Sequence, residues 1–205
     1  CLYKNEPIER EGLLYHSEDL RYYFDMPERE PDAIIGVCDT KSKGIDFMVM
    51  PIVYVYDDDY YMADCICDDS SDYNLQETKL AKKITDHEMQ RCEFESNAGG
   101  DRLAFNVTKR VKELGGRCSI STKPTETNKE TRIIVNSNWI KEHMLFKDKS
   151  LYNKQSDYGR FINMLLSYSV SGKNKHDDVP DALANFALFA TKPERKVARI
   201  MKNFL

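Results

Sequence analysis

No stretch of this 205-residue chain approaches the 18 or more consecutive apolar residues of a membrane span. No charged-then-apolar leader opens it either, so neither membrane insertion nor secretion is expected. There is one tryptophan, at Trp139, best read as core packing, and there is no internal repeat or low-complexity tract. A glycine-rich phosphate loop ending in lysine is missing, so no ATPase site is expected within these residues. Cysteines number six, but Cys65-x-Cys67 lacks the two-residue spacer and second ligand pair of a zinc site. Most of the thiols sit in apolar runs, which points to buried, unpaired cysteines in a reducing cytoplasm. The first residue is Cys1 rather than Met, which suggests a fragment or a processed product.

What is present suits a single soluble domain, since 41% hydrophobic content over this length can bury a sizeable core. The net charge of −4 hides an asymmetry. Residues 1–96 carry 23 acidic and 10 basic side chains, and residues 97–205 carry 11 and 20, giving −13 and +9. Bases cluster at Lys109, Arg110 and Lys112, at Lys129 and Arg132, and from Lys192 to Lys202. A basic half on an acidic chain suits a phosphate backbone met on one face, although solvated helix faces produce the same runs.

Pattern predicts strands at 33–40, 46–56 and 60–67, the last two joined by a turn at Asp57-Asp58-Asp59. Pro51 predicts a bulge or an unpaired N–H in the second strand. A helix at 73–87, a strand at 89–96, a helix at 99–114 and a strand at 117–122 follow. Helices are expected at 132–141 and 156–169, with a turn or short hairpin around Leu145-Phe146 between them. Residues 1–32 read as an irregular lead-in, 33–190 as the folded domain and 191–205 as a basic tail.

Carboxylates then stand out. His176-Asp177-Asp178-Val179-Pro180-Asp181-Ala182 opens an amphipathic helix whose apolar stripe is Val179, Ala182, Leu183, Phe186, Ala187 and Ala190. Asp178 and Asp181 are three apart and share one face of its first turn. One Asp suffices as a cap, whereas three clustered carboxylates repel unless a cation sits among them. Upstream, the apolar run Ala33–Cys38 ends at Asp39. Met89–Glu95 is a second strand-like run, alternating so that Cys92 and Phe94 take one side, Glu93 and Glu95 the other. A carboxylate beside a core must be paired or coordinate a metal. Two strand-end acids and a helix acid make a plausible all-oxygen site for hard divalent cations.

The ordered set "IIGVCDTKSKGIDF" (Ile34–Phe47), "CEFESNAGG" (Cys92–Gly100), "TNKETRI" (Thr127–Ile133) and "HDDVPDALA" (His176–Ala184) resembles the nuclease domain of the large terminase subunit of tailed bacteriophages. "NEPIEREGLL" (Asn5–Leu14) is similar to the stretch joining that family's ATPase domain to its nuclease. The resemblance implies an α/β, ribonuclease H-like fold with a central five-stranded mixed sheet flanked by helices. It implies an endonuclease that cuts concatemeric double-stranded DNA with little sequence specificity, using two Mg2+ or Mn2+ ions roughly 4 Å apart. Asp39 would bridge the ions, Glu95 and Asp178 would hold one each, and Asp181 would be an accessory ligand. Asp177, His176 and Glu93 would stand just outside the ligands, and Lys129 and Arg132 would contact DNA phosphate. The implied partners are an ATPase domain of the same polypeptide, which must power translocation, a portal protein and a small terminase subunit, in the host cytoplasm. Two other readings share some of these features. One is a junction resolvase or transposase with the same plan of acids, and the other a DNA-gripping or portal-docking module without metals.

Overall fold

The computed structural model describes residues 12–40, 47–125, 127–172 and 174–192. Cys1, most of the Asn5–Leu14 stretch and the expected tail beyond Lys192 lie outside the described residues. Strands β2 (Ala33–Cys38), β3 (Met48–Tyr56) and β4 (Asp59–Asp68) form an antiparallel meander. The β3–β4 turn pivots on Asp57, whose φ is 56°. Asp tolerates this left-handed conformation better than most residues because its short side chain can bond locally. The irregularity expected at Pro51 falls one step later, between Ile52 and Val53, where β4 carries Ala63 as an extra residue. An extra residue reverses the facing of what lies beyond it. Met62 therefore joins Cys65 and Cys67 in one core instead of Ile66 in the other.

Helix α1 (Tyr73–Asp86) starts at Asp72, whose carboxylate accepts the N–H groups of Asn74 and Leu75. It leads to β5 (Arg91–Glu95), α2 (Gly100–Glu113) and β6 (Ser119–Lys123), with β5 parallel to β2 and β6 parallel to β5. Next come α3 (Lys129–His143), β7 (Met144–Lys147), α4 (Asp157–Ser167) and α5 (Asp178–Ala190).

The sheet departs from expectation in its width. Among the described residues it has seven strands, in the order β1 (Arg21–Tyr23)-β7-β4-β3-β2-β5-β6, where five were expected. The outermost, β1, comes from the stretch read as irregular, and β7 stands where a turn or hairpin was expected. Both are short and pair in parallel with distant segments, so neither has a local partner to reveal it.

Helices α1 and α2 cover one face. Leu80, Ile84, Leu103, Val107 and Val111 pack there on Ile34, Met48, Met50, Ile52, Ile66, Cys92 and Phe94. The opposite core joins Val37, Val49, Val53, Met62, Cys65 and Cys67 to Ile140, Phe161, Leu165, Val179, Leu183 and Phe186 from α3, α4 and α5. Cys38, Cys65, Cys67 and Cys92 are buried free thiols, and Cys118 is half-buried and also free. Trp139 packs edge-on against Tyr60 with ring centres 4.9 Å apart, in line with a core role. Among the described residues no helix is long and apolar enough to cross a membrane.

Candidate active site

Register brings the first two acids together. Cys38 pairs with Phe94 in the parallel β2–β5 ladder, so Asp39 and Glu95 leave the sheet side by side at its carboxyl edge. Asp39 stays tied to β3, donating its N–H to the Val49 carbonyl at 2.8 Å and accepting that residue's N–H at 3.1 Å. Its side chain is buried, and burial together with the charges of Asp181 and Glu95 pushes its carboxyl well above the usual carboxylate range. The alternation expected in β5 holds, with Cys92 and Phe94 fully buried on the α1–α2 face and Glu93 and Glu95 on the other. Asn97 donates its side-chain amide to Glu95 Oε1 at 2.8 Å, and the Thr40 hydroxyl lies 3.4 Å from the carbonyl oxygens of both Glu95 and Asn97.

A glycine pair permits this edge. Gly99 has φ 96°, and a Cβ on Gly100 would lie 1.7 Å from the Glu95 carbonyl oxygen. Only a residue without a side chain lets α2 begin directly against the end of β5.

From the other side, α5 buries Val179, Ala182, Leu183, Phe186 and Ala187, and its first turn brings up Asp178 and Asp181, both buried. Asp178 Oδ2 accepts the Phe47 N–H at 3.3 Å. Asp39, Glu95, Asp178 and Asp181 line one cavity of about 260 Å³, with Thr40, Asn97, Thr125, Thr127, Lys129 and Arg132.

The acids are not equivalent. Arg132 places Nε at 2.9 Å and Nη2 at 2.5 Å from Asp181 Oδ1, and Lys129 Nζ is 3.5 Å from Oδ2. Burial raises the Asp181 carboxyl above its ordinary range, with Lys129 and Arg132 pulling against it. Lys129 also donates to Asp177 Oδ1 at 2.7 Å. Burial disfavours its charge, but the Asp177 bond and the charges of Asp181 and Asp39 hold its ammonium well above the usual lysine range. Asp177 stands at the N-cap position of α5, yet its carboxylate caps no helix N–H and goes to Lys129 instead. Arg132, expected to face DNA, is 5% exposed and faces a carboxylate. Lys129 remains half-exposed.

His176 meets the Phe47 ring edge-on at 5.1 Å and lines a separate cavity with Met164 and Ser167, away from the acids. Glu93 pairs with Lys192 at 2.7 Å and lines a neighbouring cavity of about 430 Å³ that shares Glu95, Thr125, Thr127 and Arg132 with the first. Thr40, Thr125 and Thr127 were not singled out from the sequence. The polar loop Ser121–Glu130 was the available signal for the last two.

Among the described residues no three His, Cys, Asp or Glu side chains converge as a finished cation cage. The donor chemistry nonetheless fits a hard divalent ion. The donors are carboxylate oxygens, Asp39 is buried among like charges that a cation would relieve, and Asp181 is neutralised by arginine.

Known proteins share the fold. The chain superposes on the large terminase of the thermophilic bacteriophage D6E at 14% identity and TM-score 0.57, covering 86% of this chain and 45% of that one. It superposes on the Mn-soaked, inhibitor-bound human cytomegalovirus terminase nuclease domain at 9% identity and TM-score 0.59, covering 87% and 95%. With the large terminase nuclease of thermophilic phage G20c the values are 12%, 0.53, 89% and 100%. The chain thus spans less than half of the D6E protein but all of an isolated nuclease domain. No curated sequence matches it. The sequence profile of the terminase ribonuclease H-like domain of bacteriophage T7 matches residues 38–145, from the strand before Asp39 to β7. With that profile covering over half of the chain, this protein belongs to the terminase ribonuclease H-like family.

Proposed function

We propose that the chain is a metal-dependent DNA endonuclease of a viral packaging terminase, hydrolysing phosphodiester bonds with two Mg2+ or Mn2+ ions. The observation that carries this reading is the convergence of Asp39, Glu95 and Asp178, from two strand ends and one helix, on a single cavity. Asp39 would hold both ions, Glu95 one and Asp178 the other. The ions, when bound, would lower the pKa of a water and stabilise the leaving oxygen. Asn97 orients Glu95, and the Phe47 N–H orients Asp178. Asp181 lies at the same cavity, but its bond to Arg132 suits it to fixing α5 against α3, with ligation a secondary role. Lys129, half-exposed at the rim, is the better placed of the two bases to meet a phosphate.

The match to 45% of the D6E terminase supports the further reading that an ATPase domain of the same polypeptide, entered through residues 1–32, moves the DNA that residues 33–190 cut. Residues 191–205 would form a basic tail. A portal protein and a small terminase subunit would be partners, in the cytoplasm of an infected host. The test is plasmid cleavage in Mn2+. Wild type should nick and linearise DNA with little sequence preference and stop on EDTA. Asp39→Asn, Glu95→Gln and Asp178→Asn should each abolish cutting with the fold intact. Retained cutting in two of the three would sink the mechanism.

A further inference from the structure

Among the described residues, the α3–α5 side of the sheet is covered only in part. Helix α5 packs over β2 and β3, while the register of β5 and β6 sets Arg91, Glu93 and Glu95 beside Ser119, Ser121 and Lys123. Alternation puts these six on the side opposite buried Cys92 and Phe94, so they form two polar rows beyond the helix. Where the rows meet α5 lies the cavity of about 430 Å³, lined also by Pro124, Asn185 and Leu188.

Two features single this cavity out. It adjoins the acid cavity through Glu95, Thr125, Thr127 and Arg132, so a strand with a phosphate in one can extend into the other. Asn185, one turn along α5 from Asp181, has a buried amide nitrogen without a hydrogen-bond partner among the described residues. A buried unpaired amide is destabilising, and such groups are retained where a ligand or function uses them. The local charge also admits a polyanion, since Glu93 is neutralised by Lys192 at 2.7 Å, Lys123 lines the cavity, and Glu95 would face a metal ion in the nuclease reading. The volume lies in the range of small-ligand sites, which suits a single nucleotide and not a duplex.

We infer that this cavity is a subsite for one nucleotide of one strand, next to the phosphate being cut, and that Asn185 turns its side chain into the cavity to donate its amide N–H to an acceptor on that nucleotide. The inference rests on the nuclease reading above. It implies that the duplex is locally opened at the cut.

The test uses the 205-residue chain and a fluorescent ten-nucleotide single-stranded DNA in Ca2+, with binding read by anisotropy and folding by Tm. Asn185→Ala should weaken binding about five- to tenfold. Its Tm should stay level or rise, because the amide has no partner in the fold to lose. Lys123→Gln, an exposed change, should weaken binding about two- to threefold. An oligonucleotide with one abasic position separates the sources of the acceptor. A loss with wild type that disappears with Asn185→Ala places the acceptor on the base, and an equal loss with both places it on sugar or phosphate. Wild-type binding that is undetectable, or unchanged by both substitutions, overturns the inference, as does a drop in Asn185→Ala Tm large enough to explain the lost binding. Binding that behaves as expected while wild type fails to cut in Mn2+ would overturn the nuclease reading and leave the subsite standing.

Discussion

The two faces of the sheet are built to different rules. Under α1 and α2 the contact is an almost wholly apolar layer, from Ile34 and Met50 to Leu80 and Val107, and the ion pairs Lys83–Asp64 and Arg110–Glu77 keep to its margin. Under α3 and α5 an apolar layer gives way, toward the carboxyl edge of β2 and β5, to buried Asp39, Asp178, Asp181 and Arg132. Burying four charged groups is expensive, and replacing such pairs by apolar residues is often stabilising. The first face shows what the sheet needs to stay folded. The excess polarity of the second therefore reflects work other than folding.

Changes at the acid edge should break this contrast most visibly. Asp39→Asn is expected to reduce Mn2+-dependent plasmid cutting below detection. It should also remove the rise in Tm that Mn2+ gives wild type, because only an ion bound to the folded state raises stability. Its Tm without metal should not fall, since the substitution removes a buried charge facing Asp181 and Glu95. A normal Mn2+ shift in this variant would mean the ions bind elsewhere.

Arg132→Ala should follow, with a loss of about 3 kcal/mol in urea unfolding, because buried Asp181 keeps only the half-exposed Lys129 at 3.5 Å. A loss below about 1 kcal/mol would make the Arg132–Asp181 bond incidental. On the other face, Leu80→Ala should cost about 2–4 kcal/mol through the cavity it leaves, while the Mn2+ shift in Tm survives. Should that shift vanish, the two faces are not separable.

The smallest effect sharpens the comparison through pH. Burial disfavours the Asp64 charge, but hydrogen bonds from His87 and Lys83 outweigh it and hold the carboxyl well below its ordinary value. Stability from a depressed carboxylate is present above the unfolded value, near 4, and is lost as pH falls toward the folded one. Asp64→Asn should therefore cost roughly 1–2 kcal/mol at pH 7 and lose less on acidification from about pH 5 to pH 2 than wild type does. Parallel stability curves for the two proteins would remove Asp64 from the account.

The sequence was legible where structure is local. Alternation located β2 to β5 to within two or three residues, the acids at 39 and 95 were marked by where strand-like runs stopped, and Asp178 by the start of an amphipathic helix. It failed where partners are distant. Arg21–Tyr23 shows no pattern of its own and becomes a strand only because Met144–Lys147 comes alongside. The Lys129–Asp177 and Arg132–Asp181 pairs depend on α3 lying against α5, 48 and 49 residues apart, so residues expected to face DNA turn out to face carboxylates. Asn185 was read as part of an amphipathic helix, and nothing in its neighbours revealed that its amide would lack a partner.

Asp178 stands 83 residues after Glu95 on the last described helix, and this has a consequence during synthesis. At typical ribosomal speeds of about 5–20 residues per second, roughly 4–17 s separate the translation of the second acid from that of the third. For that interval a nascent chain holds the strand-borne half of the site without the helix that completes it. In the nuclease reading, a DNA-cutting protein made beside the genome it serves is inert until α5 has left the ribosome.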